Sequence, residues 1–304
     1  MSALYTSALA ASAEAASGQH YPQGTLFIVA TPIGNLADIS LRALYLLGMV
    51  DAIACEDTRH TQALLRAYGI DKSTGQLIAV HQHNETQASQ TVIDRLLAGQ
   101  RVAYVSDAGT PGISDPGARL VAAVRAQSLR CIPLPGPSSV TTVLSAAGIS
   151  DDQAGGFVFA GFLSSKTAER DRMVLALAAE TRAVVLLEAP HRMEALAIAL
   201  ASLGERAITV GRELTKQFEE IATVSAKDLP QWLSQDANRL RGEFALVVHP
   251  APVQDSAGQD TRILKLLLEQ LPLKTAVKLA ADITGEPRNT LYQTALDLKS
   301  ANTV

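Results

Sequence analysis

Residues that could do chemistry concentrate in Ser106-Asp107-Ala108-Gly109-Thr110-Pro111-Gly112-Ile113-Ser114-Asp115-Pro116-Gly117. Its small side chains leave backbone N–H and C=O groups bare for a ligand, and the paired Pro and Gly hold the loop in shape before one arrives. A mere connector needs neither feature. Pro135-Gly136-Pro137-Ser138-Ser139 repeats the idea, with serines also suited to capping a helix. Ala30-Thr31-Pro32-Ile33-Gly34-Asn35-Leu36 is a third such turn. It is neither the dinucleotide GxGxxG pattern nor a phosphate-binding P-loop, so NAD and ATP lose their usual sequence support.

Acid–base chemistry has a different candidate, Cys55-Glu56-Asp57-Thr58-Arg59-His60-Thr61. Adjacent carboxylates followed by Arg and His place acceptors and donors in one crevice, where a general base or a hydroxyl-orienting group can work. The plainer use, Asp57 or Thr58 capping a helix, does not account for both acids and Arg59. In His81-Gln82-His83-Asn84-Glu85 the two histidines alternate across an extended strand and share no centre, so substrate contact is expected and a metal is not. Later come Glu188-Ala189-Pro190-His191-Arg192, Gly211-Arg212-Glu213-Leu214-Thr215-Lys216 and Arg241-Gly242-Glu243. Surface ion pairs explain Arg241 and Glu243 as well as function does, whereas Arg212 and Lys216 beside a glycine are suited to phosphate and are the local RNA-contact candidates.

These motifs fall at the ends of strands. From Thr25 onward, β-branched runs (TLFIVAT, VDAIACED, QLIAVH, RVAYVSD, LRCIPL) alternate with helix-like stretches such as TRHTQALLRAYG and TVIDRLLAG. Runs apolar on both faces suit a parallel sheet covered by helices, and ligands of such sheets sit at the carboxyl ends of the strands. Ser150–Gly156 reads as a linker opening a second α/β domain, whose strand candidates suggest a mixed sheet. Pro250–Asp260 reads as a second linker, before the helix-like TRILKLLLEQL, KTAVKLAADITG and RNTLYQTALDL. A stop at Gly285 and a restart after Pro287 give this tail a helix-turn-helix look, suited to packing or to RNA. The expected organisation is a flexible tail over 1–24, α/β domains over 25–149 and 150–250, and a linker with a helical module over 251–304.

Composition limits the classes of function. The chain has 304 residues, 47% apolar and 18% charged, with a net charge of −4. That is a globular composition, and its slight acidity excludes tight general binding to nucleic acid, which rests on basic surface. Any RNA contact must be local or shape-based. The first basic residue is Arg42, and no apolar run approaches the ~20 residues of a membrane span, so a cytoplasmic protein is expected. Cys55 and Cys131 belong to no CxxC pair, which leaves disulfide and zinc frameworks without support.

The order ATPIGNL, CEDTRHT, HQHNE, SDAGTPGISDPG, PLPGPSS, EAPHR, GRELTK and RGEFALVV closely resembles the ribosomal RNA small subunit methyltransferase I family, a cytidine 2′-O-ribose methylase subgroup of the tetrapyrrole methylase superfamily. The resemblance spans about Thr25 to Pro250 and extends into the helical tail. It implies a two-domain, class III methyltransferase fold of α/β type with S-adenosylmethionine in the cleft between domains, a homodimer, and 16S rRNA as substrate; the weak charge adds the expectation that the rRNA is met in the assembled small subunit. Carried over by position, the cofactor residues are Pro32, Ile33, Asp107, Ala108, Gly109, Thr110, Ile113, Ser138, Ser139, Ala189 and Leu214. Glu56 or Asp57 would accept the proton, Arg59 and His83 would orient sugar or phosphate, and Arg212 and Lys216 would meet RNA. Tetrapyrrole-directed relatives carry a first loop closer to GxGPGD, which Pro32-Ile33-Gly34-Asn35 replaces here. The rivals are a small-molecule methylase of the same fold and a non-catalytic RNA-binding assembly factor.

Overall fold

The computed structural model describes residues 5–81, 84–115, 117–149, 156–251 and 256–301. The described residues up to Pro250 form one compact unit, and those from Ala251 onward a second.

The first sheet contains β1 (Thr25–Val29), β2 (Ala52–Cys55), β3 (Leu77–Ala79), β4 (Val102–Val105) and β5 (Arg130–Leu134) in the order β3-β2-β4-β1-β5. Every pairing in it is parallel. All residues of β2 and β4 are buried, because helices cover both faces of a parallel sheet. The crossovers supply those helices: α2 (Leu41–Met49), α3 (Thr58–Ala67), α4 (Glu85–Leu97), α5 (Gly117–Ala126) and, after β5, α6 (Ser139–Ala146). Local chemistry sets where they begin. The Ser40 side chain accepts the Ala43 N–H to start α2, and the Asp57 carboxylate accepts the N–H groups of Arg59 and His60 to start α3.

The second sheet is mixed, with β6 (Phe157–Gly161), β7 (Ala183–Glu188), β8 (Ala207–Arg212), β9 (Glu220–Ser225) and β10 (Phe244–Val248) in the order β6-β7-β10-β8-β9. Only β6 and β7 run parallel; β10 is antiparallel to both neighbours, and so lies between β7 and β8 instead of beside β9. Helices α7 (Thr167–Leu177), α8 (Pro190–Leu200) and α9 (Leu229–Ser234) accompany it. One apolar cluster joins the two halves of this unit: Val140 and Val143 of α6, Ile33 of the first loop, Val185 of β7, Val247 of β10, and Leu214. The sheets are therefore fixed against a shared core, and the space between their ends keeps its shape.

The N-terminal tail and the second linker both differ from expectation. Residues 1–24, expected as a flexible tail, contain the helix α1 (Thr6–Ala16) within their described part. Its Tyr5 ring meets Tyr68 edge-on at 5.2 Å, and Leu9 packs on the first core. Tyr21 is buried against Phe27 and Tyr45. An Ala-rich stretch shows little periodicity, yet it folds when a few large side chains find a core. The second linker is shorter than expected, since α10 (Ser256–Gln270) begins before Thr261. With α11 (Leu273–Thr284) and α12 (Arg288–Ala301) it forms a three-helix unit around Leu264, Val277, Ala280, Leu291 and Ala295. Gly285 ends α11, and Pro287 precedes α12. No helix among the described residues is long and apolar enough to cross a membrane.

Leu9→Ala tests the docking of α1. Loss of a partly buried side chain should lower stability by about 1 to 2 kcal/mol, read as an earlier denaturant midpoint at unchanged slope. A free tail would leave the midpoint where it is.

Candidate active site

Because all strands of the first sheet are parallel, the loops after β1, β2, β4 and β5 emerge on one edge. They are bonded to one another there. Thr31 and Gly109 exchange N–H···O bonds of 3.0 Å in both directions, an isolated bridge between the first loop and the glycine loop. The Thr31 hydroxyl donates to Ser106 O at 3.1 Å, and the Thr110 hydroxyl to Pro137 O at 2.9 Å. Between the second and fourth strand ends, Asp107 N–H donates to Glu56 Oε1 at 3.1 Å and Asp57 N–H to Asp107 Oδ1 at 3.4 Å. Asp115 fastens the far turn of the glycine loop. Its carboxylate accepts the Tyr104 hydroxyl at 3.0 Å and the N–H groups of Gly112 and Gly117 at 2.6 and 2.8 Å.

Beside these loops lies a cleft of about 480 Å³. Glu56, Ile33, Asp107, Ala108, Gly109, Thr110 and Ile113 line it, as do Ser138 and Ser139 after β5. The second sheet contributes Ala189 and Glu188 from the end of β7, Leu214 from the loop after β8, and Glu243 and Phe244 at the start of β10. Gly109 has a φ of +81°, and a side chain there would start 3.3 Å from the Ile33 side chain. Only glycine gives both that backbone and that clearance, so the loop can present bare peptide to a guest.

Acidic charge dominates the cleft: Glu188 and Glu243 are paired with Arg192 and Lys216, whereas Glu56, Asp107 and Asp115 make no ion pair among the described residues. Among the described lining residues the charged ones are Glu56, Asp107, Asp115, Glu188 and Glu243, all acidic. Such a lining favours a cationic guest and disfavours phosphate. Burial pushes the Glu56 carboxyl above its usual value; the Asp107 N–H bond opposes that shift, and the charges of Asp107 and Asp115 add to it. Next to it, burial raises the Cys55 thiol to about 11. Glu188 is buried, accepts the Ala189 N–H at 2.9 Å and pairs with Arg192 Nε at 3.1 Å.

Several expected residues stand elsewhere. Pro32 is buried and is not among the lining residues. Asp57 caps α3 and holds Arg59 at 3.0 Å, and the bond from Arg59 draws its carboxyl down to about 2. The Arg59 side chain is 90% exposed, so this pair belongs to the surface and the adjacent acids have different jobs. His83 lies outside the described residues. Arg212, expected to reach RNA, is 8% exposed; it pairs with Glu220 and donates to Phe218 O and Arg241 O, which makes it a clamp within the second sheet. Lys216 is half-buried and bridges Glu213 and Glu243 at 2.7 and 3.0 Å. Both cations are engaged by protein carboxylates.

Asp115, Glu188, Glu243 and Phe162 also line the cleft, beyond the cofactor residues expected from the sequence. Their signals differ in strength. Asp115 sat inside the glycine loop and Glu188 at a strand end, but the chain order of β10 and the turn after β6 are three-dimensional facts with no local mark.

Similarity to known proteins agrees with this geometry. A family model described as Tetrapyrrole (Corrin/Porphyrin) Methylases matches residues 25–230, and one described as RsmI C-terminal HTH domain matches residues 254–299. The ribosomal RNA small subunit methyltransferase I of Escherichia coli O157:H7 is 46% identical over 279 residues, 90% of this chain and 96% of that protein. Its namesake from Pseudomonas aeruginosa is 45% identical over 279 residues, 90% of this chain and 97% of that protein. Uroporphyrin-III-C-methyltransferase from Thermus thermophilus shares the fold with a TM-score of 0.54 at 20% identity, covering 75% of this chain and 94% of that one.

The raised Glu56 carboxyl has a thermodynamic consequence. A carboxyl whose folded value lies above its unfolded value costs stability when ionised, a cost fully present above the folded value and gone below the unfolded one. Glu56→Gln keeps an acceptor for Asp107 N–H and removes the charge. Its melting temperature should equal or exceed the parent's at pH 7, with the difference closing as pH falls through the raised value toward the ordinary carboxyl range. A variant less stable than the parent at neutral pH would mean that the charge itself holds the strand ends together.

Proposed function

Since this chain belongs to the ribosomal RNA small subunit methyltransferase I family, within the tetrapyrrole methylases, we propose that it transfers a methyl group from S-adenosylmethionine to the 2′-oxygen of a cytidine ribose in 16S rRNA. The observation that carries the reading is the meeting, in one cleft, of the bare peptide at residues 107–110 with the Glu56 carboxylate. The cofactor residues are Ile33, Asp107, Ala108, Gly109, Thr110, Ile113, Ser138, Ser139, Ala189 and Leu214, all of which line the cleft. Their fit to S-adenosylmethionine rests on three properties. The volume lies within the ~300 to 1,000 Å³ usual for small-molecule sites, the glycine loop exposes peptide groups, and the acidic lining suits a cation.

The bound cofactor supplies a methyl group already activated by its sulfonium. What remains for the protein is alignment and one proton. Holding the ribose oxygen in line can account for ~7 to 11 kcal/mol of the barrier, and a cleft walled by two sheets around a shared core is rigid enough to do so. Glu56 is the acceptor of the 2′-hydroxyl proton. Partial burial makes it a stronger base than an ordinary carboxylate, whereas Asp57 is weakened by Arg59. Residues 25–149 carry the cofactor loops and the proton acceptor, and residues between Phe162 and Ala245 close the cleft from the other side. The protein works as a homodimer, as its resemblance implies, and action on rRNA is consistent with the cytoplasm expected from the sequence. With a net charge of −4 it lacks the field to hold naked RNA, so the assembled small subunit, which presents a folded surface, is the substrate.

Mapping ribose methyl groups on small-subunit rRNA from cells with and without the protein decides the activity: one cytidine should lose its methyl group in its absence. In single-turnover assays at saturating cofactor, Glu56→Gln should slow transfer by about 100- to 10,000-fold, while Asp57→Asn, which retains a capping side chain, stays within a few-fold of the parent. If Glu56→Gln reacts like the parent, catalysis is alignment alone.

A further inference from the structure

Phe162 is a large apolar side chain left half exposed. It follows β6, whose pairing with β7 shifts register between Phe159 and Gly161. Bulges of this kind re-aim a side chain. Gly161 then takes a φ of +64°, a backbone that other residues rarely adopt, and the chain leaves the alternation of the strand. The outcome is that Phe162 lines the cleft at 50% exposure while the next residue, Leu163, enters the second core. Among the described residues, Phe157 and Phe218 are also at least half exposed, but neither lines the cleft.

The turn that carries Phe162 is held from behind. Arg192, paired with the buried Glu188, donates through its guanidinium to Leu163 O. Ser164 Oγ accepts the Lys166 N–H at 3.2 Å and donates to Glu169 at 2.8 Å. A half-exposed aromatic ring lining the cleft on a turn whose backbone is held, with the apolar Ile113 at 47% exposure also lining that cleft, offers a surface suited to a flat, uncharged partner.

We propose that Phe162 is the stacking platform for the base of the target nucleotide. This rests on the methylation of a ribose proposed above and adds to it the group that seats the nucleotide. To bring a 2′-oxygen into the cleft the nucleotide must leave its helix, and an unstacked base regains its lost stacking on an aromatic face. The acidic lining keeps phosphates out, so the group that accompanies the ribose inward is the neutral base. Positive charge for the flanking phosphate lies four residues on, at Lys166, which is exposed and makes no ion pair among the described residues.

The test uses the full chain with small ribosomal subunits from cells lacking it. Phe162→Ala should fold with the parent's melting temperature, bind S-adenosylmethionine within two-fold of the parent, and raise KM for the subunit by roughly ten-fold or more. Phe162→Tyr should restore KM and Phe162→Leu should not, because stacking needs a π face. Weakened cofactor binding with unchanged KM would assign the ring to the cofactor and overturn the platform. So would rescue by Leu equal to that by Tyr, which would make Phe162 only an apolar wall. A parent protein that does not methylate the subunit overturns the functional reading and the platform with it; a parent that does, beside a Phe162→Ala variant of unchanged KM, overturns the platform alone.

Discussion

Two backbone hydrogen bonds, exchanged between Thr31 and Gly109, tie together the loops on which everything else in the cleft depends. Parallel pairing sends the strand ends to one edge, but it does not by itself keep four long loops in register. The bridge does this for the first and fourth strands, Thr110 extends the tie to the fifth, and Glu56 with Asp107 closes it toward the second. The Thr31–Gly109 bridge is all backbone and Thr110 adds only a short side chain, so these ties order little side-chain freedom; Glu56 is the long side chain that the tie toward the second strand must order. The result is a candidate ligand surface made of peptide, whose geometry is inherited from the sheet.

The second sheet answers a different requirement. A peptide surface offers hydrogen bonds but no enclosure, and enclosure comes from Ala189 and Leu214, just past the ends of β7 and β8, and from Phe244 at the start of β10; Leu214 packs in the same core as α6. The carboxylates around this space are stabilised in unlike ways. Asp57 is held down by Arg59 in solvent and Glu188 is matched by Arg192, whereas Glu56 keeps one backbone donor and neighbouring negative charge. An acid so placed is the one whose proton affinity is set high enough to be useful.

Much of this was legible in the sequence because it is encoded locally. β-Branched runs apolar on both faces require a covered parallel sheet, and a loop such as 106–117 announces a backbone-lined site through its glycines and prolines. What was not legible depends on packing. Glu56 and Asp57 are adjacent and chemically alike, and only the structure shows one turned to the cleft and the other to the helix end. Arg212 carried the signature of a phosphate ligand, yet a strand places it opposite Glu220, and burial fixes it there. The helix α1 has a weak pattern of its own and owes its order to Tyr5 and Leu9 meeting a core that forms elsewhere.

Cys55 lies next to the proposed proton acceptor, a position where a reactive sulfur would be a liability. It is fully buried at the end of β2, and a thiol near 11 is thiolate in only about one molecule in 10,000 at neutral pH. Oxidants and alkylating agents attack the thiolate and need access to it, and this sulfur offers neither. The centre is thus insulated from the redox state of its surroundings without help from a reductant. By the same token Cys55 is an internal reporter: its modification marks the opening of the central sheet, separable from the half-buried Cys131 on β5 by its slower reaction.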